Sequence, residues 1–149
     1  MTNSLRAILL GGSLCALPDG TCVTLLYNAK GIKPVQMWQA VASAILGPSS
    51  FRDGWAAGLL GIALHCFVAW SVASVFVLAS RNAPILLQHP IFTGIAYGLL
   101  VFVVMNMVVV PLSAMPKRPV NMSVVLTQLA MHIALVGVPI SISARYFLR

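Results

Sequence analysis

The sequence predicts an all-α polytopic membrane protein with four transmembrane helices and a short interfacial helix in the first loop. Two observations predict it. Of 149 residues, 60% are hydrophobic and only 7% are Asp, Glu, Lys or Arg, far below the charged share of a water-soluble domain. Four apolar stretches, about residues 5–27, 55–78, 90–112 and 121–142, are each long enough to cross ~30 Å of hydrocarbon at ~1.5 Å per residue. A β-barrel would need alternating strands of about ten residues, and the run Val101 to Val110 does not alternate. One transmembrane domain accounts for the whole chain, and no internal repeat divides it.

The first stretch follows Arg6 and resembles a signal-peptide apolar region. No small-x-small cleavage site follows it, and Leu14 before Cys15 spoils a lipoprotein-type site, so it reads as a retained first span. Within it, Pro18-Asp19-Gly20 would be a turn in a soluble chain. In a membrane the same triplet predicts a kinked but continuous helix, with a discontinuous one as the alternative, since irregular backbone at that depth must be buried in protein or line water.

Residues 34–46 place Val35, Trp38, Ala42 and Ile45 on one side of a helix and Gln36 and Gln39 elsewhere. That stretch is too short to span and suits an interfacial or half-inserted position. Ser50 with Asp53 three residues later reads as a capping box before the second span. Pro90 suits the first position of the third span, and Pro116 and Pro119 bracket a tight basic loop before the fourth.

A net charge of +7 could suggest nucleic acid, but Arg6, Lys30, Lys33, Arg52, Arg81, Lys117, Arg118, Arg145 and Arg149 all sit at the ends of apolar runs. They read as headgroup anchors, not as a basic face with stacking aromatics, so nucleic acid is excluded as a partner. With both termini on side A, that side carries Arg6, Arg81, Arg145 and Arg149, while side B carries Lys30, Lys33, Arg52, Lys117 and Arg118. This near balance leaves orientation open under the positive-inside rule.

Ionisable groups within a span are costly enough to mark function by default, and here they are Asp19, His65 and His132, joined by the neutral Asn106 and Gln128. Counting residues to the side B end of each span puts Asp19 at about 12 Å, His65 about 15 Å, Asn106 about 9 Å, Gln128 about 10 Å and His132 about 16 Å deep. The layer predicts one internal polar cluster, with Asp19 paired to a histidine, Asn106 bridging, and Gln128 and His132, four residues apart, sharing the inward face of the fourth span. Such a cluster serves either as interhelical glue or as a proton- or ion-coupling site.

Cys15, Asp19 and Cys22 share a helical face, so Cys15, Cys22, His65, Cys66 and His132 are candidate ligands for a metal or haem. No C-x-x-C or H-E-x-x-H spacing supports that, and Cys15 and Cys22, about 10 Å apart along one helix, cannot pair as a disulfide. No cofactor is therefore predicted beyond lipid contacts. Ser71, Ser74, Ser113, Ser141 and Ser143 lack a G-x-S-x-G setting, and Asp19 and Asp53 are too differently placed for a catalytic pair, which argues against hydrolysis.

Gly54, Gly58, Gly61 and His65 recur at four, three and four residues, and Gly94 and Gly98 form a G-x-x-x-G pair. These small-residue faces predict close helix packing, within the chain, in self-association, or against other membrane subunits. Together with the minimal loops they make a non-enzymatic accessory or scaffold subunit the leading reading. A small proton- or ion-coupled transporter or channel using Asp19, His65, Asn106 and His132 is the alternative, and a metal- or haem-binding membrane protein the third.

The segments Gly61-Ile-Ala-Leu-His65-Cys-Phe, Gly94-Ile-Ala-Tyr97-Gly98, Val104-Met-Asn106 through Pro111-Leu-Ser-Ala114, and His132-Ile-Ala-Leu-Val-Gly137-Val-Pro139-Ile cover much of the chain. They resemble a family of uncharacterised bacterial four-span membrane proteins, in which an acidic residue of the first span follows a glycine pair. Asp19 after Gly11 and Gly12 matches that feature. The resemblance implies a multi-pass protein of the bacterial cytoplasmic (inner) membrane and carries no activity with it.

Overall fold

A computed structural model describes residues 2–117 and 121–149. Among the described residues there are no strands, and four helices are long and apolar enough to cross a membrane: α1 (Asn3–Asn28), α3 (Gly54–Asn82), α4 (Pro90–Leu112) and α5 (Met122–Leu148). A shorter helix, α2 (Pro34–Leu46), joins α1 to α3 through a 3-10 segment, Gly47–Arg52. Arg118 and Pro119 lie outside the described residues.

Each helix start has a local cause. The Thr2 hydroxyl accepts from the Leu5 N–H at 3.3 Å, the Asn121 side chain accepts from the Ser123 and Val124 N–H groups, and Pro90 opens α4 as expected. The Ser50–Asp53 capping box does not form. Ser50 is buried inside the 3-10 segment with no partner for its hydroxyl, Asp53 makes no side-chain cap, and Gly54 begins α3 at φ +53°. The chain turns there through glycine's left-handed freedom instead of through a side-chain cap. Helix α1 runs unbroken through Pro18-Asp19-Gly20.

Two helices outrun their expected ends. Helix α5 continues to Leu148 because Ile140, Ser141, Ser143 and Ala144 are buried, with the Ser143 hydroxyl donating to the Ala7 carbonyl at 3.2 Å. Helix α3 continues to Asn82, its last turns holding the buried Phe76, Val77 and Ser80.

Helix α1 packs between α3 and α5, α4 packs on α5, and α2 packs on the first half of α3. The core is built mostly from small residues such as Ala7, Ala69, Ala73 and Ala144 around Phe76, Val77 and Ile140. Helices α3 and α4 meet at Tyr97, whose hydroxyl donates to the Val72 carbonyl at 2.7 Å and whose ring stands edge-on to Phe76. A groove between the two helices reaches Val109, near the side B end of α4. On that side the Ala114 N–H donates to the Ala44 carbonyl at 2.9 Å, tying the end of α4 to α2.

Glycine sets the closest approaches. A Cβ on Gly137 would collide with the Gly94 carbonyl oxygen, and one on Gly98 would lie 2.5 Å from the His132 carbonyl oxygen. The G-x-x-x-G pair is therefore used inside the chain, between α4 and α5. Gly61 takes the backbone of α2 at Trp38, and Gly58 lies against Trp55 and Val35. Gly54, read from its spacing as a packing position, has nothing within 4 Å of a Cβ and serves the turn.

Helix α2 is not a simple amphipath. Gln39 is buried and its amide donates to the Gly54 carbonyl at 2.9 Å, whereas Ile45 is exposed. The backbone at the start of α3 supplies an acceptor for the Gln39 amide, which lets this polar side chain be buried.

Candidate functional site

Asp19 and His65 come together where α1 crosses α3. His65 Nε2 lies 3.9 Å from Asp19 Oδ2 and 3.0 Å from the Ala16 carbonyl oxygen. A carbonyl only accepts, so Nε2 carries the hydrogen and donates it to Ala16. Both side chains are mostly buried, 21% exposed for His65 and 13% for Asp19. Among the described residues Asp19 has no shorter polar contact.

The sequence explains the position of each partner. Pro18 withholds an N–H from its own helix, and Asp19 follows directly on the same turn. Gly20 lets α2 close in: a Cβ there would sit 3.0 Å from the Trp38 ring and 3.3 Å from His65 Nε2. Trp38 in turn stands edge-on to His65, with ring centroids 5.5 Å apart.

Beside this pair lies a cleft of about 310 Å³ between α1 and α3, walled by Thr21, Thr24, Trp38, Ile62, His65 and Cys66 among others. The Thr21 and Thr24 hydroxyls donate to the carbonyls of Leu17 and Gly20, both at 2.7 Å. Their oxygens keep lone pairs for a guest in the cleft.

The rest of the expected layer is divided. His132 is engaged elsewhere: its Nδ1 donates to the Gln128 carbonyl at 2.8 Å and its ring stands edge-on to Phe102. Gln128 is half-buried and contributes that carbonyl. Asn106 is exposed, and its amide donates to the Phe102 carbonyl at 2.9 Å within its own helix. Asn106 lies in a π-helical stretch, Met105–Val109, and His132 opens another, His132–Gly137. Such widened turns change which residues face inward, and Asn106 stands on the outer side of α4 and does not bridge the cluster.

The candidate ligands do not converge. Cys15 is buried, Cys22 is exposed, Cys66 lines the cleft, and among the described residues no group of three His, Cys, Asp or Glu could hold a metal ion. Trp38, Thr21, Thr24 and the Ala16 carbonyl were not singled out as site groups from sequence. Thr21 and Thr24, one turn beyond Asp19, carried a usable signal, whereas a backbone carbonyl carries none. No protein family, curated protein or solved structure matches this chain.

Proposed function

We propose that this chain is a small proton-linked transporter or channel of a bacterial cytoplasmic membrane, with the Asp19–His65 pair as its proton-handling site. One observation carries the reading: two ionisable side chains 46 positions apart in sequence meet at 3.9 Å beside a cleft, within helices long enough to span a bilayer. An ionisable pair at such depth is expensive to hold and is kept where protons or ions move.

The chemistry follows from the tautomer. With Nε2–H donated to Ala16, Nδ1 is the basic nitrogen of neutral His65, and a proton arriving there makes an imidazolium beside Asp19. Loss of the Nε2 proton to the carboxylate leaves neutral His65 as the other tautomer and Asp19 protonated. A small rotation of the imidazole or one bridging water closes the 3.9 Å gap. Helix α2, lying at the side B interface, holds Trp38 against the pair and covers the cleft.

The accessory-subunit reading drew on the glycine faces. In-chain neighbours occupy Gly58, Gly61, Gly94 and Gly98, so those faces no longer argue for an external partner.

Vesicles reconstituted with the full chain and an internal pH dye test the proposal. A wild-type proton flux driven by a potential, falling to that of empty vesicles in Asp19→Asn and His65→Gln, is expected. Equal flux in wild type and both variants overturns it in favour of the accessory role.

A further inference from the structure

The cleft beside the Asp19–His65 pair is rich in acceptors and short of donors. Thr21 and Thr24 give their hydroxyl hydrogens to the Leu17 and Gly20 carbonyls, and His65 gives its Nε2 hydrogen to the Ala16 carbonyl. What these three wall residues keep are lone pairs, on two hydroxyl oxygens and on Nδ1. Among the described residues of the wall, the other unspent polar side-chain groups are the Trp38 indole N–H and the weakly donating Cys66 thiol.

Charge points the same way. No Lys or Arg stands among the described wall residues, whereas the Asp19 carboxylate lies 3.9 Å from His65 in that wall. Among the described residues the only sealed side-chain polar atoms without a partner are the Ser50 and Ser141 hydroxyls. The Asp19 oxygens and His65 Nδ1 also make no hydrogen bond, so they are open to a small guest and not sealed in the packing. A carboxylate held largely out of water with no donor on it gains most from a cation that brings N–H groups.

The remaining wall is apolar, with Leu17, Leu25, Ile62 and the Trp38 ring. Along α1 the cleft runs from Ala16 to Leu25, from mid-span toward side B. Its volume of about 310 Å³ has room for roughly ten waters or one small organic molecule. A bare metal ion would leave the apolar walls unused, and no group of three ligating side chains is there to hold one among the described residues. Acceptors, an indole and a nearby carboxylate around apolar walls are complementary to an apolar body that carries one ammonium group.

We propose that this cleft binds a small primary amine in its protonated form. The ammonium donates to Thr21, Thr24 and His65 with Asp19 as its counter-charge, and the apolar body lies along Leu17, Leu25, Ile62 and Trp38. The consequence rests on the proton-handling reading of Asp19 and His65: an ammonium in the cleft and an imidazolium at His65 compete for one carboxylate, so entry of the amine sends the proton out.

Equilibrium dialysis of the full chain in detergent against radiolabelled benzylammonium tests the site. Saturable binding is expected. Benzyl alcohol, which lacks the charge, and benzyltrimethylammonium, which lacks N–H groups, should each compete about tenfold less well than unlabelled amine, and benzoate should not compete. Asp19→Asn should weaken the amine about tenfold or more, and Thr21→Val and Thr24→Val should each weaken it severalfold. In a Cys22→Ser background, bound amine should slow alkylation of Cys66. Absence of saturable binding, benzyl alcohol competing as well as the amine, or unchanged affinity in Asp19→Asn would overturn the proposal. The competition series uses the unaltered chain, so it decides even where a variant fails to fold. A chain that carries protons in vesicles but binds no amine overturns the amine site and leaves the proton-handling reading standing. A chain that binds the amine without carrying protons keeps the site and overturns that reading.

Discussion

The seam between α4 and α5 and the corner formed by α1, α2 and α3 use the same residue to opposite ends. In the seam, Gly94, Gly98 and Gly137 bring backbone against backbone and leave no room for a side chain. In the corner, Gly20 and Gly61 also permit close approach, but what enters at Gly20 is the ring of Trp38 and the imidazole of His65. Ring against glycine leaves gaps that backbone against backbone does not, and the cleft beside Asp19 is such a gap. Small residues in spans are thus packing devices in both places, and the partner decides whether polar chemistry can lodge beside them.

The comparison breaks most visibly at the seam. Gly137→Leu forces a side chain into the Gly94 carbonyl and the backbone of Gly98, and neither can yield without parting α4 from α5. A loss of about 3 kcal/mol or more is expected, read as a lowered unfolding midpoint in detergent. In the corner, Gly61→Ala meets the Trp38 carbonyl, but α2 is a short helix that can lift away as a unit. A smaller cost of about 1–2 kcal/mol is expected, with increased labelling of Cys66 by a thiol reagent as the cleft opens. Equal costs at both glycines would erase the distinction between a fixed seam and a movable cover.

Much of this architecture was legible because a bilayer imposes so strict a pattern. Four apolar runs specify four helices, and Pro90 marked a true start. Asp19 and His65 stood out because ionisable side chains are rare in spans. What escaped was whatever depended on turn geometry. Two π-helical stretches alter the facing of α4 and α5, and Asn106, expected to bridge the cluster, lies outside. The pattern on α2 puts Ala42 and Ile45 on one side and Gln39 elsewhere, yet Ala42 and Gln39 are both buried and Ile45 is exposed, with the Gly54 carbonyl accepting from the Gln39 amide. Ser50 and Asp53 had capping-box spacing, but the chain reaches α3 through a 3-10 turn and a positive-φ glycine.

A third change tests the junction between the two regions. Tyr97 on α4 is the place where α3 and α4 meet, through one hydrogen bond to the Val72 carbonyl and the edge of its ring on Phe76. Tyr97→Phe keeps the ring contact and removes the bond. A loss of about 1 kcal/mol is expected by the same unfolding measurement. A loss as large as that of Gly137→Leu would mean that α3 and α4 hold the bundle together as firmly as α4 and α5 do.

The smallest effect on stability is expected where the largest effect on function lies. The Asp19–His65 contact is long, at 3.9 Å, and neither group is fully buried, so its Coulomb attraction is offset by the cost of holding the carboxylate out of water. Asp19→Asn keeps the side-chain volume and removes both terms together. Its unfolding free energy should change by about 0.5 kcal/mol or less, while proton flux in reconstituted vesicles falls to background. A stability loss comparable to that of Gly61→Ala would make the pair a strut between α1 and α3. A stable variant without flux would assign the cost of the buried carboxylate to proton movement, because nothing in the packing would then require it.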